Sequence, residues 1–250
     1  MNKINSWLLN NDLQISVNKS KILHIGHCNP KYTYFINQTP IPLEDKSVRD
    51  LGLFFTPNLK WEHHVNLKYS SAYKRWFQLF KYLKTDNPHI LTQVYKLYVR
   101  PILEFGSLIY NKSSVRISDT LEKVQRNITR MILYRTNKYS IIPPYSTRCN
   151  ILNIQTLKLR RDITDLTFLH SILIGETDIS KDNFPYKINP NKRRLNHVFH
   201  YPHCRTNLRM NSFFIRTKKL YNEIPIEIQK CKNIKTFRKL ISNYLLTQNK

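Results

Sequence analysis

The 250-residue chain carries 41 Lys+Arg against 16 Asp+Glu, a formal net charge of +25, and 41% of its residues are hydrophobic. That length and apolar fraction exclude wholesale disorder, and the charge imbalance makes a strong non-specific field for polyanions, so RNA or DNA is the expected partner. Four scattered cysteines without a CxxC pair argue against a disulfide framework, and neither a signal-peptide core nor a long apolar run is visible, so the expectation is a soluble, non-secreted, nuclear or cytoplasmic protein without a membrane partner.

Residues 4–10 read as the last turns of a helix that began before the chain does. KILHIG (residues 21–26), YTYFIN (32–37) and DLGLFF (50–55) follow, rich in β-branched and aromatic residues and separated by Pro, Asn and Gly. These three runs predict a small antiparallel sheet. From residue 61 the period changes. Val65, Tyr69, Ala72, Trp76, Phe80 and Leu83 recur at three- and four-residue steps, which predicts an amphipathic helix over 61–83 with Lys68, Lys74, Lys81 and Lys84 projecting from it. Asn87-Pro88 opens a second helix, which Pro101 should kink. Ser118 is the expected N-cap of a third, carrying Leu121, Val124, Ile128 and Ile132. A fourth covers about 154–173 and stops at Gly175, and a short one covers 234–246. The expected fold class is mainly α with a small N-terminal antiparallel β-sheet.

Residues 183–222 hold nine Lys/Arg and no Asp or Glu, interleaved with Phe184, Tyr186, Phe199, Tyr201, Phe213, Phe214 and Tyr221. Cations between flat rings suit a surface that neutralises phosphates and stacks on bases; the alternative is an irregular loop packing its aromatics on the helices.

Glu62-His63-His64 reads as a helix entry. Adjacent helical histidines point about 100° apart, the residue four after His63 is Leu67 rather than a second ligand, and Glu62 suits the positive end of the helix dipole. HVFHYPHC offers His197, His200, His203 and Cys204 as a zinc set, but no CxxC or HxxxH partner exists elsewhere, which favours basic histidines at a nucleic-acid surface. The chain has no GxSxG elbow, no glycine-rich phosphate loop and no adjacent Asp-Asp pair, so no catalytic or metal-binding residue is expected in it.

Six blocks occur in a telling order: WLLNNDLQISVNKSKILHIG; VRDLGLFFTPNLKWEHHV; LYVRPILEFGSLIYN; LEKVQRNITRMI; Arg160-Arg161 followed by Asp165-Leu166; and CRTNLRMNSFFIR with YNEIP. Together, over nearly the whole chain, they resemble the C-terminal part of reverse transcriptases from non-LTR retrotransposons of the jockey-like and related lineages. Lys19 matches the family lysine downstream of the active site, with Ser16 where asparagine is usual. His64 matches a histidine that follows the Asp-Leu-Gly strand. Phe105 and Tyr221 replace a tyrosine and a tryptophan.

The resemblance implies that residues 1–60 are the C-terminal remnant of a palm, 61–175 a helical thumb-like domain and 176–250 a basic C-terminal segment. It implies a grip on the backbone of an RNA–DNA template–primer duplex, through Lys19, Lys68, Lys74, Arg75, Arg126, Arg130, Arg193, Arg194, Arg205, Arg209 and Arg216. Arg100 and Glu104 are expected as an i,i+4 pair, and Arg160, Arg161 and Asp165 as a structural network. The family's Y-x-D-D hairpin and its magnesium belong upstream. This chain alone is therefore expected to bind and not to polymerise, with no cofactor of its own and with the missing polymerase half as a possible partner. The alternatives are a freestanding basic nucleic-acid-binding protein or a non-functional relic of an element.

Overall fold

The computed structural model describes residues 2–26, 28–36, 38–136, 141–179, 199 and 202–248. The chain is mainly α, with a little antiparallel β structure near the N-terminus. It divides into two compact units, Met1–Leu67 and Lys68–Lys250.

In the first unit, α1 (Asn2–Leu9) precedes two separate hairpins, β1 (Phe35–Ile36) with β2 (Thr39–Pro40) and β3 (Val48–Asp50) with β4 (Leu53–Phe55). This differs from the expected three strands. KILHIG contributes only an isolated bridge between Ile22 and Leu43, and DLGLFF is a turn plus a strand. Leu51 (φ 45°) and Gly52 (φ 83°) are both left-handed, the requirement of a two-residue turn whose twist matches the strands it joins. Gly52 adopts this without strain, so Asp-Leu-Gly marks the corner of a hairpin. The pairing of Val48 with Phe55 and Asp50 with Leu53 follows from that turn.

The unit boundary falls inside α2 (Glu62–Tyr82). In its first turn His64 is buried, its Nδ1 accepting from the Phe54 amide at 3.4 Å and its ring edge-on to Trp61. The trio is a helix entry, as the spacing predicts.

The second unit continues with α3 (Pro88–Val94), a π-helical turn (Tyr95–Val99), α4 (Arg100–Glu104) and α5 (Ser107–Tyr110). The Asn87 side chain caps α3 by accepting from the His89 amide at 2.9 Å. Pro101 has no N–H to offer Leu97, and its ring would meet that carbonyl. The helix accommodates it by widening to a π turn immediately upstream.

α6 (Val115–Arg135) starts four residues earlier than expected, because Ser114 and not Ser118 is its cap and accepts from the Ile117 amide. Ser118 instead receives a hydrogen bond from Arg161. Ile117, Leu121, Val124, Ile128 and Ile132 form its buried stripe. α7 (Tyr145–Ile151), invisible to periodicity, leads into α8 (Leu157–Ile174), capped by Thr156 and ended by Gly175 at φ 80°. Then come α9 (Asn207–Met210), α10 (Phe213–Asn222), α11 (Ile226–Gln229) and α12 (Ile234–Gln248).

Leu159, Ile163, Leu166 and Leu169 of α8 form a core with Phe199, Tyr221, Ile224, Phe237 and Ile241. Each large apolar side chain buried this way contributes about 1.5–3 kcal/mol. Two rings expected on a base-stacking surface, Phe199 and Tyr221, are therefore interior. Phe199 is also tied at both backbone atoms to the Asn222 amide. Phe184, Tyr186 and Tyr201 lie outside the described residues.

A polar network crosses the same unit. Asn111 donates to Asp165 at 2.8 Å and accepts from Arg161 at 3.2 Å, and Asp165 also holds Arg216. Glu104 takes two hydrogen bonds from Arg160, with Arg100 more distant at 3.9 Å. Thus the Arg161–Asp165 network and the Arg100–Glu104 contact are structural, as expected, although Arg160 is the stronger partner of Glu104.

Candidate nucleic-acid interface

α6 has two chemically distinct sides. Inward, Gln125 accepts from the Tyr95 hydroxyl at 2.6 Å and donates to the Tyr145 hydroxyl and the Gln155 carbonyl. Buried Glu122 accepts from Tyr145 and from the Leu157 and Lys158 amides, capping the start of α8. The other acid of α6, Asp119, is exposed near the start of the helix. Outward, Lys123, Arg126, Asn127, Arg130 and Tyr134 are all exposed, at the three- and four-residue spacing that puts side chains on one helical face.

Two flanks extend this face. On one, Arg126 and Arg148 lie 5.4 and 5.6 Å from the centre of the Tyr145 ring, and Arg148 is anchored to Thr129, the Pro143 carbonyl and the Arg126 carbonyl. Burial lowers the Arg148 pKa. On the other flank is a groove of about 420 Å³ between α2 and α6, lined by Tyr73, Phe77, Asn127, Arg130, Met131 and Tyr134. Tyr73 and Phe77 stack at 5.9 Å with 19° between their planes. Asn127 donates to the Tyr73 hydroxyl, whose pKa burial pushes up to about 12. Phe77 and Tyr134 are 53% and 73% exposed. Lys74 and Lys81 stand one turn to either side of Phe77 along α2. Exposed rings bounded by cations can take the flat faces of bases while the charges take phosphates.

Of the expected contacts, Arg130 lines this groove, and Lys74 and Arg126 are exposed on the two helices that form it. Arg75, about 100° further round α2 than Lys74, shares the opposite flank with Lys68, whose ammonium sits 4.5 Å from the centre of the Phe105 ring. Lys19 is exposed in the first unit, at the end of a 3₁₀ turn (Val17–Lys19). Arg205 and Arg209 are exposed beside and within α9. Arg193 and Arg194 lie outside the described residues.

Arg216 is a correction. It is 6% exposed, fixed by Asp165 and by the Asn211 and Leu108 carbonyls, so its donors serve the interior and not a phosphate. His203 and Cys204 line a separate cavity of about 910 Å³ with Lys112, Met210 and Lys219. No group of three metal-ligating side chains occurs among the described residues, and His197 and His200 fall outside them.

Sequence reasoning missed Lys123, Arg148 and the rings of the groove. A signal for the basic part was present: from Lys123 to Arg161 the chain has nine Lys/Arg and no Asp or Glu.

No family model matches the chain, and no solved structure matches it. It is 28% identical over 129 residues to the uncharacterized protein B0403.1 of Caenorhabditis elegans, a match covering 52% of this chain and 64% of that protein. The chain thus spans less than two thirds of that relative's length. No helix among the described residues is long and apolar enough to cross a membrane.

Proposed function

We propose that this chain is the thumb-like, nucleic-acid-binding part of a reverse transcriptase of the non-LTR retrotransposon type, and that it holds a template–primer duplex by its backbone. The observation that carries this reading is the outer face of α6, where Lys123, Arg126 and Arg130 stand beside the Tyr73–Phe77–Tyr134 groove while Glu122 is turned inward. Guanidinium and ammonium groups on a rigid helix meet phosphate oxygens whatever the base sequence. The groove gives an unpaired or frayed base a place to stack next to the duplex. The sequence holds no Y-x-D-D hairpin, so the reading assigns this chain no nucleotidyl-transfer step.

Photocrosslinking of a 4-thiouridine-labelled RNA–DNA duplex, followed by peptide mapping, tests the placement. Adducts on peptides containing Tyr73, Phe77 or Tyr134 are expected. Adducts confined to peptides of the first unit would refute it.

A further inference from the structure

A cleft of about 340 Å³ lies between α8 and α12, apart from the groove. Its wall contains four cations, Arg160, Lys235, Arg238 and Lys239, together with Gln155 and Ser242, and no carboxylate. The three α12 cations and Ser242 fall at i, i+3, i+4 and i+7, on one helical face. Phe237 and Ile241 of the same helix are wholly buried in the core with α8, which fixes the direction in which the basic face looks.

The cations of the cleft differ in how they are balanced. Arg160 is neutralised by Glu104. No ion pair among the described residues engages Lys235, Arg238 or Lys239, and all three are exposed. They also occupy the first turn and a half of α12, where positive charge opposes the helix dipole. A local excess of this kind is relieved by an anion. The floor is polar and fixed: Gln155 donates to the Ser242 hydroxyl at 2.9 Å, which leaves the Ser242 O–H as a donor. The Gln155 carbonyl in turn accepts from Gln125 at 3.0 Å, tying the cleft wall to the inner side of α6, the helix that carries the outward cations.

We infer that the α8–α12 cleft is a second phosphate site, which receives a backbone phosphate of the nucleic acid lying on α6. Lys235, Arg238 and Lys239 supply the charge, and Ser242 and Gln155 supply the polar floor. The inference rests on the duplex-binding reading of α6. It extends the footprint to the C-terminal helix, which no motif of the sequence marks.

The test compares the wild-type chain, the triple variant K235Q/R238Q/K239Q and the double variant R126Q/R130Q. Binding to an RNA–DNA duplex is followed through a salt series, and thermal melting is recorded with and without tripolyphosphate. All substituted side chains are exposed, and circular dichroism checks that the variants stay helical. The triple variant should lose about 0.9 from the slope of log K against log salt, the value for one phosphate contact. Tripolyphosphate should raise the melting temperature of the wild type by more than that of the triple variant, which keeps the α6 cations. An unchanged slope in the triple variant, with a reduced slope in the double variant, would overturn the cleft and leave the α6 reading standing. If the wild type binds no duplex, the α6 reading falls. Tripolyphosphate stabilisation reduced in the triple variant would then support a phosphate site fed by a soluble polyphosphate, and absence of stabilisation would overturn the site itself.

Discussion

Arg216 closes on Asp165 with two hydrogen bonds, Nε to Oδ2 at 2.9 Å and Nη2 to Oδ1 at 3.1 Å, with both side chains buried. The pair joins α10 to α8, and Asn111 extends it to Arg161. Three of the six ordered sequence blocks, those containing Asn111, Arg161–Asp165 and Arg216, thus meet at one buried network. Their residue types are explained by folding before any ligand is considered.

Removing one partner of a buried pair leaves the other charge uncompensated. Arg216→Gln should destabilise the protein by about 3–5 kcal/mol, read as a lower midpoint in urea. A surface phosphate contact would behave in the opposite way, keeping stability and losing affinity. An unaltered midpoint would refute the buried assignment.

The outward cations of α6 should show that opposite behaviour. R126Q/R130Q should weaken duplex binding equally across unrelated sequences and reduce the salt slope by about two, while the melting temperature stays near that of the wild type. Lys46→Gln, an exposed change in the first unit, serves as the control. A loss confined to one sequence would point to base readout instead.

Tyr134 is exposed, so its truncation should cost stability less than about 0.5 kcal/mol. If the groove stacks an unpaired base, Tyr134→Ala should lower affinity for a duplex with a single-stranded overhang by about 1–3 kcal/mol and leave a blunt duplex almost unaffected. Equal losses for the two ligands would remove stacking from the account.

His170 supplies a pH test. Its Nε2 lies 2.7 Å from the Cys231 carbonyl, which can only accept, so that nitrogen carries the hydrogen and Nδ1 accepts from the Tyr221 hydroxyl at 2.9 Å. The ring stacks on Phe237 at 3.7 Å. Burial lowers the His170 pKa below its ordinary 6.5. The unfolded chain therefore takes up this proton before the folded one does. The stabilisation is fully present above about pH 6.5 and is lost as the pH falls toward the folded pKa, at up to about 1.4 kcal/mol per pH unit. Stability measured from pH 8 to pH 5 should fall more steeply in the wild type than in His170→Gln. Parallel curves would show that this histidine is not held neutral.

The helices were largely legible because buried stripes impose a three-to-four period: Leu121, Val124, Ile128 and Ile132 mark α6 and face the interior. Boundaries were less so. Ser114 and Ser118 are equally good caps, and only the fold decides between them, by giving Ser118 to Arg161. The strands were over-read, since the apolar and aromatic residues of DLGLFF do not reveal that Leu51 and Gly52 turn back on themselves. In the candidate site, composition located the charge but not its direction. Arg126 and Arg216 look alike in sequence, yet one is outside and one inside because Asp165 lies in reach of only the second. The rings of the groove were hidden for a related reason: Tyr73 and Phe77 share α2 with buried Trp76, and period alone does not separate a core ring from an exposed one.

The most direct test of the central claim is fluorescence anisotropy of a labelled RNA–DNA duplex titrated with the purified chain across a salt series. The account predicts saturable binding whose affinity falls steeply with salt, corresponding to about six or more released counterions. A folded sample that shows no saturable binding at low salt would contradict it.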